Sequence, residues 1–195
     1  MIDVLQITTA VVMVLLAAAW YLSYSAARLD RLHAKVEGAM AALDAQLVRR
    51  AEATLELATS GAVDPATSLL LADAASQALE RHTFQPLSDD PLDGQTFAGR
   101  EDTEANLTEA LRAALQEDTV ASLRGEVEGP GASGLSRVAA SALRVQLARR
   151  FHNDAVREVR RVRAKMVVRL FRLAGHATLP QPVDFDDGLP PAVVD

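Results

Sequence analysis

The stretch from Val4 to about Ala58 is predicted to be one continuous helix with two hydrophobic patterns. Its first part is apolar throughout, and its second part is apolar on one face only. No charged residue lies between Val4 and Tyr24. About 20 apolar residues, at a rise of 1.5 Å each, match a hydrocarbon core of roughly 30 Å. Neither Pro nor Gly separates this run from the apolar positions that follow, whose spacings of three and four predict one face of a helix. Those positions are Leu29, Leu32, Val36, Ala39, Leu43 and Leu47.

Residues 1–25 are predicted to form a transmembrane anchor that continues directly into an amphipathic helix. A cleaved secretory signal is the alternative, because Ala17, Ala18 and Ala19 resemble a signal-peptidase site. The acidic Asp3 in place of a basic n-region, and the length of the apolar run, favour an uncleaved anchor. Three aromatic residues near the C-terminal end of the run suit the membrane interface: Trp20, Tyr21 and Tyr24.

The charges that flank the apolar run predict its orientation. Arg28, Arg31 and Lys35 follow the run, whereas only Asp3 precedes it. Basic residues are retained on the cytoplasmic side of a membrane segment. We therefore expect a single-pass protein of the cell membrane, with its N-terminus outside and its helical domain in the cytoplasm.

Three further helices are predicted between segments rich in Pro and Gly. Asp64 supplies an N-cap and Pro65 suits the first helical position, so the second helix is expected over 65–81. The third is expected over about 102–124 and the fourth over 133–174. The apolar positions assigned to the second helix are Leu69, Leu70, Ala72, Ala75 and Leu79.

The pattern predicts an all-α fold in which the anchor continues into an antiparallel four-helix bundle over residues 26–175. No strand pattern is present, aromatic residues make up only 4% of the chain, and the absence of cysteine excludes disulfides and thiolate metal sites. Leu43 and Leu47 are expected to face the fourth helix. Residues 176–195 are acidic and rich in Pro, and are predicted to be a disordered tail.

Two stretches resemble motifs of the LemA family of bacterial membrane-anchored helical bundles. The first is similar to D-x-Q-L-x-R-R, through Asp44, Gln46, Leu47, Arg49 and Arg50. The second is similar to A-R-x-x-Y-N-x-x-V, through Ala148, Arg149, Asn153 and Val156, with His152 in place of the Tyr. Leu55 and Glu56 replace the Pro-Asn of the family, and Phe185 adds to the resemblance. The resemblance implies a single-pass anchor, a bundle, and no established catalytic activity.

The sequence offers little material for catalysis or for a cofactor. The four His residues lack the H-x-x-x-H and H-E-x-x-H spacings of helical zinc sites. The acidic loop over 83–100 lacks the ligand order of a calcium loop, and the glycine-rich segment over 125–134 lacks the Lys of a phosphate loop. His152 and Asn153 could form a polar site with Arg49 or Arg50. The alternative is a hydrogen-bonded network that fixes helix register.

The fourth predicted helix carries eleven Lys and Arg residues against two Asp and Glu, although the whole chain has a net charge of −6. Its C-terminal end should return to the membrane, where basic side chains are attracted to anionic lipid headgroups. Pairing with acidic residues of the second and third helices is the alternative. The acidic remainder and the anchor argue against nucleic acid as a partner. The basic residues at that end are Arg157, Arg160, Arg161, Arg163, Lys165, Arg169 and Arg172.

These features predict a membrane-anchored, non-enzymatic scaffold or interaction module at the cytoplasmic face. It would have the lipid bilayer and a protein of unknown identity as partners, and it would need no cofactor. The alternative function is a membrane-bound hydrolase, or another enzyme, that uses the polar residues near His152 and Asn153.

Overall fold

The computed structural model describes residues 4–84, 97, 99–125 and 129–194. Within these ranges all regular secondary structure is helical, as the sequence predicts. Asp89, Asp90 and Asp93 of the predicted acidic loop lie outside the described residues. The helices are α1 (Val4–Thr59), α2 (Pro65–Phe84), α3 (Arg100–Ala114), α4 (Glu117–Gly125), α5 (Pro130–Arg163), α6 (Met166–Leu170) and α7 (Pro191–Val194).

Helix α1 is a single element of 56 residues with two different halves. All side chains from Val4 to Tyr21 are exposed. This part contains a window of 18 residues with a mean hydropathy of 1.9, none of which is buried. From Leu29 onward one face of the same helix is buried, as the spacing of its apolar residues predicts. Among the residues that the structure describes, one helix is therefore long and apolar enough to cross a membrane.

Helix α5 lies along most of the packed half of α1. Gly134 at the start of α5 approaches Leu57 so closely that a Cβ there would lie 2.9 Å from Leu57 Cδ1. Near the other end, Lys35 Nζ lies 3.0 Å from Glu158 Oε2. Three apolar clusters lie along the packed half of α1, and each of them includes residues of α5. The prediction that Leu43 and Leu47 face this helix is confirmed, because they share a cluster with Val145 and Ala148.

Helix α2 begins as predicted, and its buried face agrees with the predicted one only in part, since Ala75 is buried and Ala72 and Leu79 pack against the core. Asp64 Oδ1 accepts hydrogen bonds from the backbone N–H groups of Ala66 and Thr67, at 3.0 and 3.1 Å. The assigned face is wrong at its start, because Leu69 is 73% exposed and Leu70 is 44% exposed. The buried positions are Leu71, Ala75 and Ala78. Three consecutive leucines allowed more than one helical stripe, and contact with α1 and α3 selected this one.

Two predicted helices are interrupted in the structure. The third is divided into α3 and α4 at Leu115, whose side chain is fully buried in the core. The fourth ends at Arg163, and Lys165 has an extended backbone with φ −63° and ψ 136°. The turn there brings Val168 and Leu173 back onto the cluster that contains Leu29. In both places burial of apolar side chains outweighs continuation of the helix.

The structure also differs from the prediction of a disordered tail. Residues 177–190 form neither helix nor strand, but they pack against the helices. Val183, Phe185 and Asp187 are buried, while Asp184 and Asp186 between them are exposed. This alternation is that of an extended segment lying on a surface, because successive side chains point to opposite sides. We call residues 177–190 the extended tail.

Candidate functional site

One face of α5 binds the extended tail through polar side chains, and we call this set of residues the α5 clamp. Arg149, Asn153, Arg160 and Arg163 are separated by four, seven and three positions, which places them on one side of a helix, and His152 precedes Asn153 directly. Each donates to a group in the tail or exchanges hydrogen bonds with it. The members are Arg149, His152, Asn153, Arg160 and Arg163.

Arg149 makes the strongest contact of the clamp. Its Nε lies 2.7 Å from Asp187 Oδ2, and its Nη2 lies 3.0 Å from Asp187 Oδ1. This bidentate pair is mostly buried, with side-chain exposures of 22% and 10%. The Arg149 guanidinium also lies 5.5 Å from the centre of the Phe185 ring. A planar guanidinium suits both contacts at once, so this site favours Arg over Lys.

Asn153 pairs with the backbone of Val183 in both directions. Its Nδ2 donates to the Val183 carbonyl at 2.9 Å, and its Oδ1 accepts from the Val183 N–H at 2.9 Å. One side-chain amide thus satisfies both backbone groups of a buried residue that has no strand partner. The neighbouring His152 Nε2 lies 3.3 Å from the Gln181 carbonyl oxygen.

The basic residues that the sequence predicts at the membrane surface differ in their contacts. Arg160 Nε donates to the Pro180 carbonyl at 2.9 Å, and Arg163 donates to the carbonyls of Thr178 and Ala177 at 2.7 and 2.9 Å. Arg157 pairs with Asp154 of its own helix. The remaining members of the set form no ion pair with any residue that the structure describes: Arg161, Lys165, Arg169 and Arg172.

The predicted polar site between His152, Asn153 and an arginine of α1 does not assemble. Arg49 is exposed, and Arg50 is buried against α3 instead. Arg50 Nη2 lies 2.7 Å from Glu104 Oε2, and Arg50 Nη1 donates to Thr108 Oγ1 at 3.1 Å. The two arginines differ because position 50 falls within the buried stripe of α1 and position 49 does not.

The other residues of the resemblance lie in the core or near it. Asp44 Oδ1 pairs with Arg100 and lies 3.2 Å from His82 Nδ1. Gln46 is half-buried, and its Oε1 has no hydrogen-bond partner among the described residues. Leu47 and Val156 are each 1% exposed. The sequence pattern does not single out Arg100 and Glu104, because their partners on α1 lie more than fifty positions away in the chain.

A cavity of about 460 Å³ lies between α1, α5 and the start of the extended tail. We call it the His33–His152 cavity. Burial is the main cause that lowers the pKa of His152, and backbone carbonyls of Gln181 and Val36 act in the opposite direction. Burial also lowers the pKa of His33. The positive charge of Arg163 lowers this pKa further, whereas the negative charges of Asp30 and Glu37 raise it. Both imidazoles are therefore neutral at pH 7.

We expect the folded domain to lose stability as the pH falls below about 6.5, the ordinary pKa of histidine. An unfolded chain takes up a proton on His152 in this range, whereas the folded chain resists protonation there. The slope for one such group is at most about 1.4 kcal/mol per pH unit. This slope is measured by chemical denaturation, at pH 7.5, 6.5 and 5.5, of a shortened chain that begins at Ser25.

His152→Gln should reduce this slope, because glutamine does not titrate in the range. His176→Gln is the matched control, since His176 is exposed. An equal slope in His152→Gln and the parent chain would contradict the assignment of the pH dependence to His152.

The described part of the chain contains no group of three His, Asp or Glu side chains placed to hold a metal ion. No family model, no curated protein and no solved structure matches the chain.

Proposed function

We propose that this protein is a membrane-anchored, non-enzymatic interaction module whose helical domain lies at the cytoplasmic face. The observation that carries the proposal is the continuity of α1, which is exposed and apolar in its first part and packed in its second. Thr8 and Thr9 donate their hydroxyl groups to carbonyls of the preceding helical turn, at 2.9 and 2.8 Å. The hydroxyl groups of these two threonines are thus satisfied within the helix, which suits a lipid environment.

We also propose that the soluble part is an antiparallel four-helix bundle of the LemA type. Support comes from the contacts of α1 with α2 and α5, and of α2 with α3. The residues of the resemblance join these elements: Arg50 reaches α3, and Arg149 and Asn153 reach the tail. A scaffold needs such fixed polar contacts between its elements more than it needs a reactive group.

The alternative hydrolase receives less support. The polar atoms of Asn153 and the Nε2 of His152 are occupied by the backbone of the tail. A general base must reach the proton that it abstracts, and these groups are used for structure.

The anchor and its orientation can be tested together in cells. The chain should remain in the membrane fraction after alkaline carbonate extraction, because about 20 apolar residues hold it in the bilayer. Leu15→Arg combined with Val12→Arg should release it, whereas Leu69→Arg combined with Leu70→Arg on the exposed face of α2 should not.

The orientation is tested with reporters fused to the C-terminus. A reporter that functions only in the cytoplasm should be active. Activity of a reporter that functions only outside would refute the proposed orientation.

A second test concerns the basic residues at the end of α5 and beyond. The shortened chain that begins at Ser25 should sediment with phosphatidylglycerol vesicles at low salt and be released as salt rises. Each basic group near an anionic surface contributes about 1 kcal/mol. Replacing Arg161, Lys165 and Arg169 by Glu should abolish the sedimentation. Replacing Arg137, Arg144 and Arg150 by Glu makes the same change of charge in the N-terminal two thirds of α5 and should leave most binding intact. Equal binding to neutral vesicles would contradict the proposal.

A further inference from the structure

Three large apolar side chains lie exposed at the turn that follows α5. Met166 is 82% exposed, Leu170 is 71% exposed and Phe171 is 53% exposed. Met166 and Leu170 are the first and last residues of α6, four positions apart and so on one side of it, and Phe171 follows directly. Val168 of the same helix is only 5% exposed. The turn therefore buries one side and presents an apolar side, and we call Met166, Leu170 and Phe171 the α6 patch.

The packing of α5 on α1 places the α6 patch at the end of the domain from which the apolar run leaves. Helix α5 extends along α1 from the level of Leu57 to that of Lys35, and α6 follows it. Val168 of α6 then packs in the cluster that contains Leu29. On the same side of α1, partial burial begins at Leu22, within the apolar run itself. The packed domain thus reaches the level of the proposed membrane segment.

The distance along α1 agrees with the thickness of a membrane interface. The proposed function places the end of the hydrocarbon core near Ser25, since Arg28 is the first charged residue after the apolar run. Leu29 lies four residues beyond Ser25, which is about 6 Å of helix. The headgroup layer on each side of a bilayer is roughly 5–8 Å thick. Val168, which packs with Leu29, therefore lies at the level of the headgroups.

Basic side chains flank the α6 patch. Lys165, Arg169 and Arg172 are exposed and lie next to its members in the sequence. Within the described ranges these three cations form no ion pair. Apolar side chains with flanking cations suit the surface of a bilayer that contains anionic lipid, because the apolar groups enter the acyl boundary and the cations stay among the headgroups. This charge complementarity, and the position beside the anchor, favour lipid as the partner of the patch.

We infer that the α6 patch inserts into the interfacial layer of the membrane and forms a second membrane contact of the domain. Its three side chains enter the boundary between headgroups and acyl chains, and the flanking basic groups remain among the headgroups. The inference rests on the proposed anchor, and it adds to the proposed electrostatic attraction an apolar contact that salt does not screen. A single transmembrane helix leaves the domain free to rotate about the helix axis. A second contact beside α1 fixes which side of the domain faces the bilayer.

The test uses the full chain in nanodiscs of phosphatidylcholine and phosphatidylglycerol. The chain has no cysteine, so Leu170→Cys and Leu69→Cys each accept a single environment-sensitive fluorophore. Both leucines are similarly exposed, at 71% and 73%. Leu69 follows Ser68, whose hydroxyl donates to the Ala58 carbonyl, and Ala58 lies 33 residues or about 50 Å of helix beyond Ser25. Leu69→Cys is therefore the matched control far from the bilayer.

We expect the label of Leu170→Cys to emit at shorter wavelength than that of Leu69→Cys, because it lies in a less polar environment. Lipids with a spin label high on the acyl chain should quench it several-fold more strongly. Equal emission and equal quenching of the two labels, in discs that retain the chain, would overturn the inference and leave the anchor standing. Alkaline extraction reads the anchor separately, and release of the chain there would overturn both.

High salt separates insertion from electrostatic attraction. Quenching of the Leu170→Cys label should persist as salt rises, because apolar burial is not screened whereas attraction between exposed charges is. Loss of quenching at high salt would mean that charge alone holds the turn at the surface. That result would overturn the insertion of the patch and leave the attraction to anionic lipid intact.

Variants that keep the charge constant test the apolar side chains themselves. Ala164→Cys places the label on an exposed residue two positions before α6. Replacing the three residues of the α6 patch by Ser should abolish most of its quenching, because the apolar area that enters the bilayer is removed. The matched control replaces three exposed apolar residues in the middle of α5 by Ser and should leave the quenching unchanged: Leu143, Leu147 and Phe151. Unchanged quenching in the first triple variant, or equal loss in both, would refute the role of the patch.

Discussion

Arg50→Met should lower the free energy of unfolding by about 3–5 kcal/mol, because it leaves Glu104 buried without its partner. The two side chains are 1% and 4% exposed, and the bond between Arg50 Nη2 and Glu104 Oε2 is 2.7 Å. Arg50 also donates to the Glu104 carbonyl at 3.0 Å and to Thr108. Urea denaturation of the shortened chain that begins at Ser25 measures the loss.

Two comparisons make this result specific to the buried pair. Arg137→Met removes the partner of Glu56, but those side chains are 53% and 56% exposed, so the loss should stay below about 1 kcal/mol. Arg50→Met combined with Glu104→Leu should recover much of the lost stability, because no buried charge then remains unpaired. If Arg50→Met and Arg137→Met proved equally mild, the burial of the Arg50–Glu104 pair would be contradicted.

Phe185→Ala should cost about 3–5 kcal/mol, the range for an aromatic side chain removed from a core. The ring lies 6.0 Å from the Phe97 ring, and the guanidinium groups of Arg50 and Arg149 lie 6.0 and 5.5 Å from its centre. It belongs to the same cluster as Leu43 and Leu47. The loss is read from the denaturation midpoint and slope of the shortened chain.

Phe84→Ala is the matched control, because Phe84 is 80% exposed at the end of α2 and its removal should cost little. A disordered tail, as the sequence predicts, would make the two substitutions equivalent. Limited proteolysis distinguishes these cases further, since cleavage within 177–190 should be slow in the parent chain and fast in Phe185→Ala.

The sequence of the extended tail contains a local alternation of residues that its composition does not show. Its prolines and aspartates are typical of disorder, but Val183, Phe185 and Asp187 alternate with exposed residues at the period of an extended segment. On α5, Arg149, Asn153, Arg160 and Arg163 form a stripe of polar side chains on one face. Neither pattern identifies its partner alone, because helix spacing gives a face and not the segment that covers it.

The sequence by itself determined the helical class, the exposed apolar run of α1, the N-cap at Asp64 and the facing of Leu43 and Leu47. These depend on hydrophobic period and on residues within a turn of each other, which are local properties. Only the tertiary structure decided the face of α2, the breaks at Leu115 and Lys165, the Arg50–Glu104 pair and the packed tail. Each depends on which distant surfaces meet, because the burial of apolar area and of charge is fixed only by contact between elements far apart in the chain.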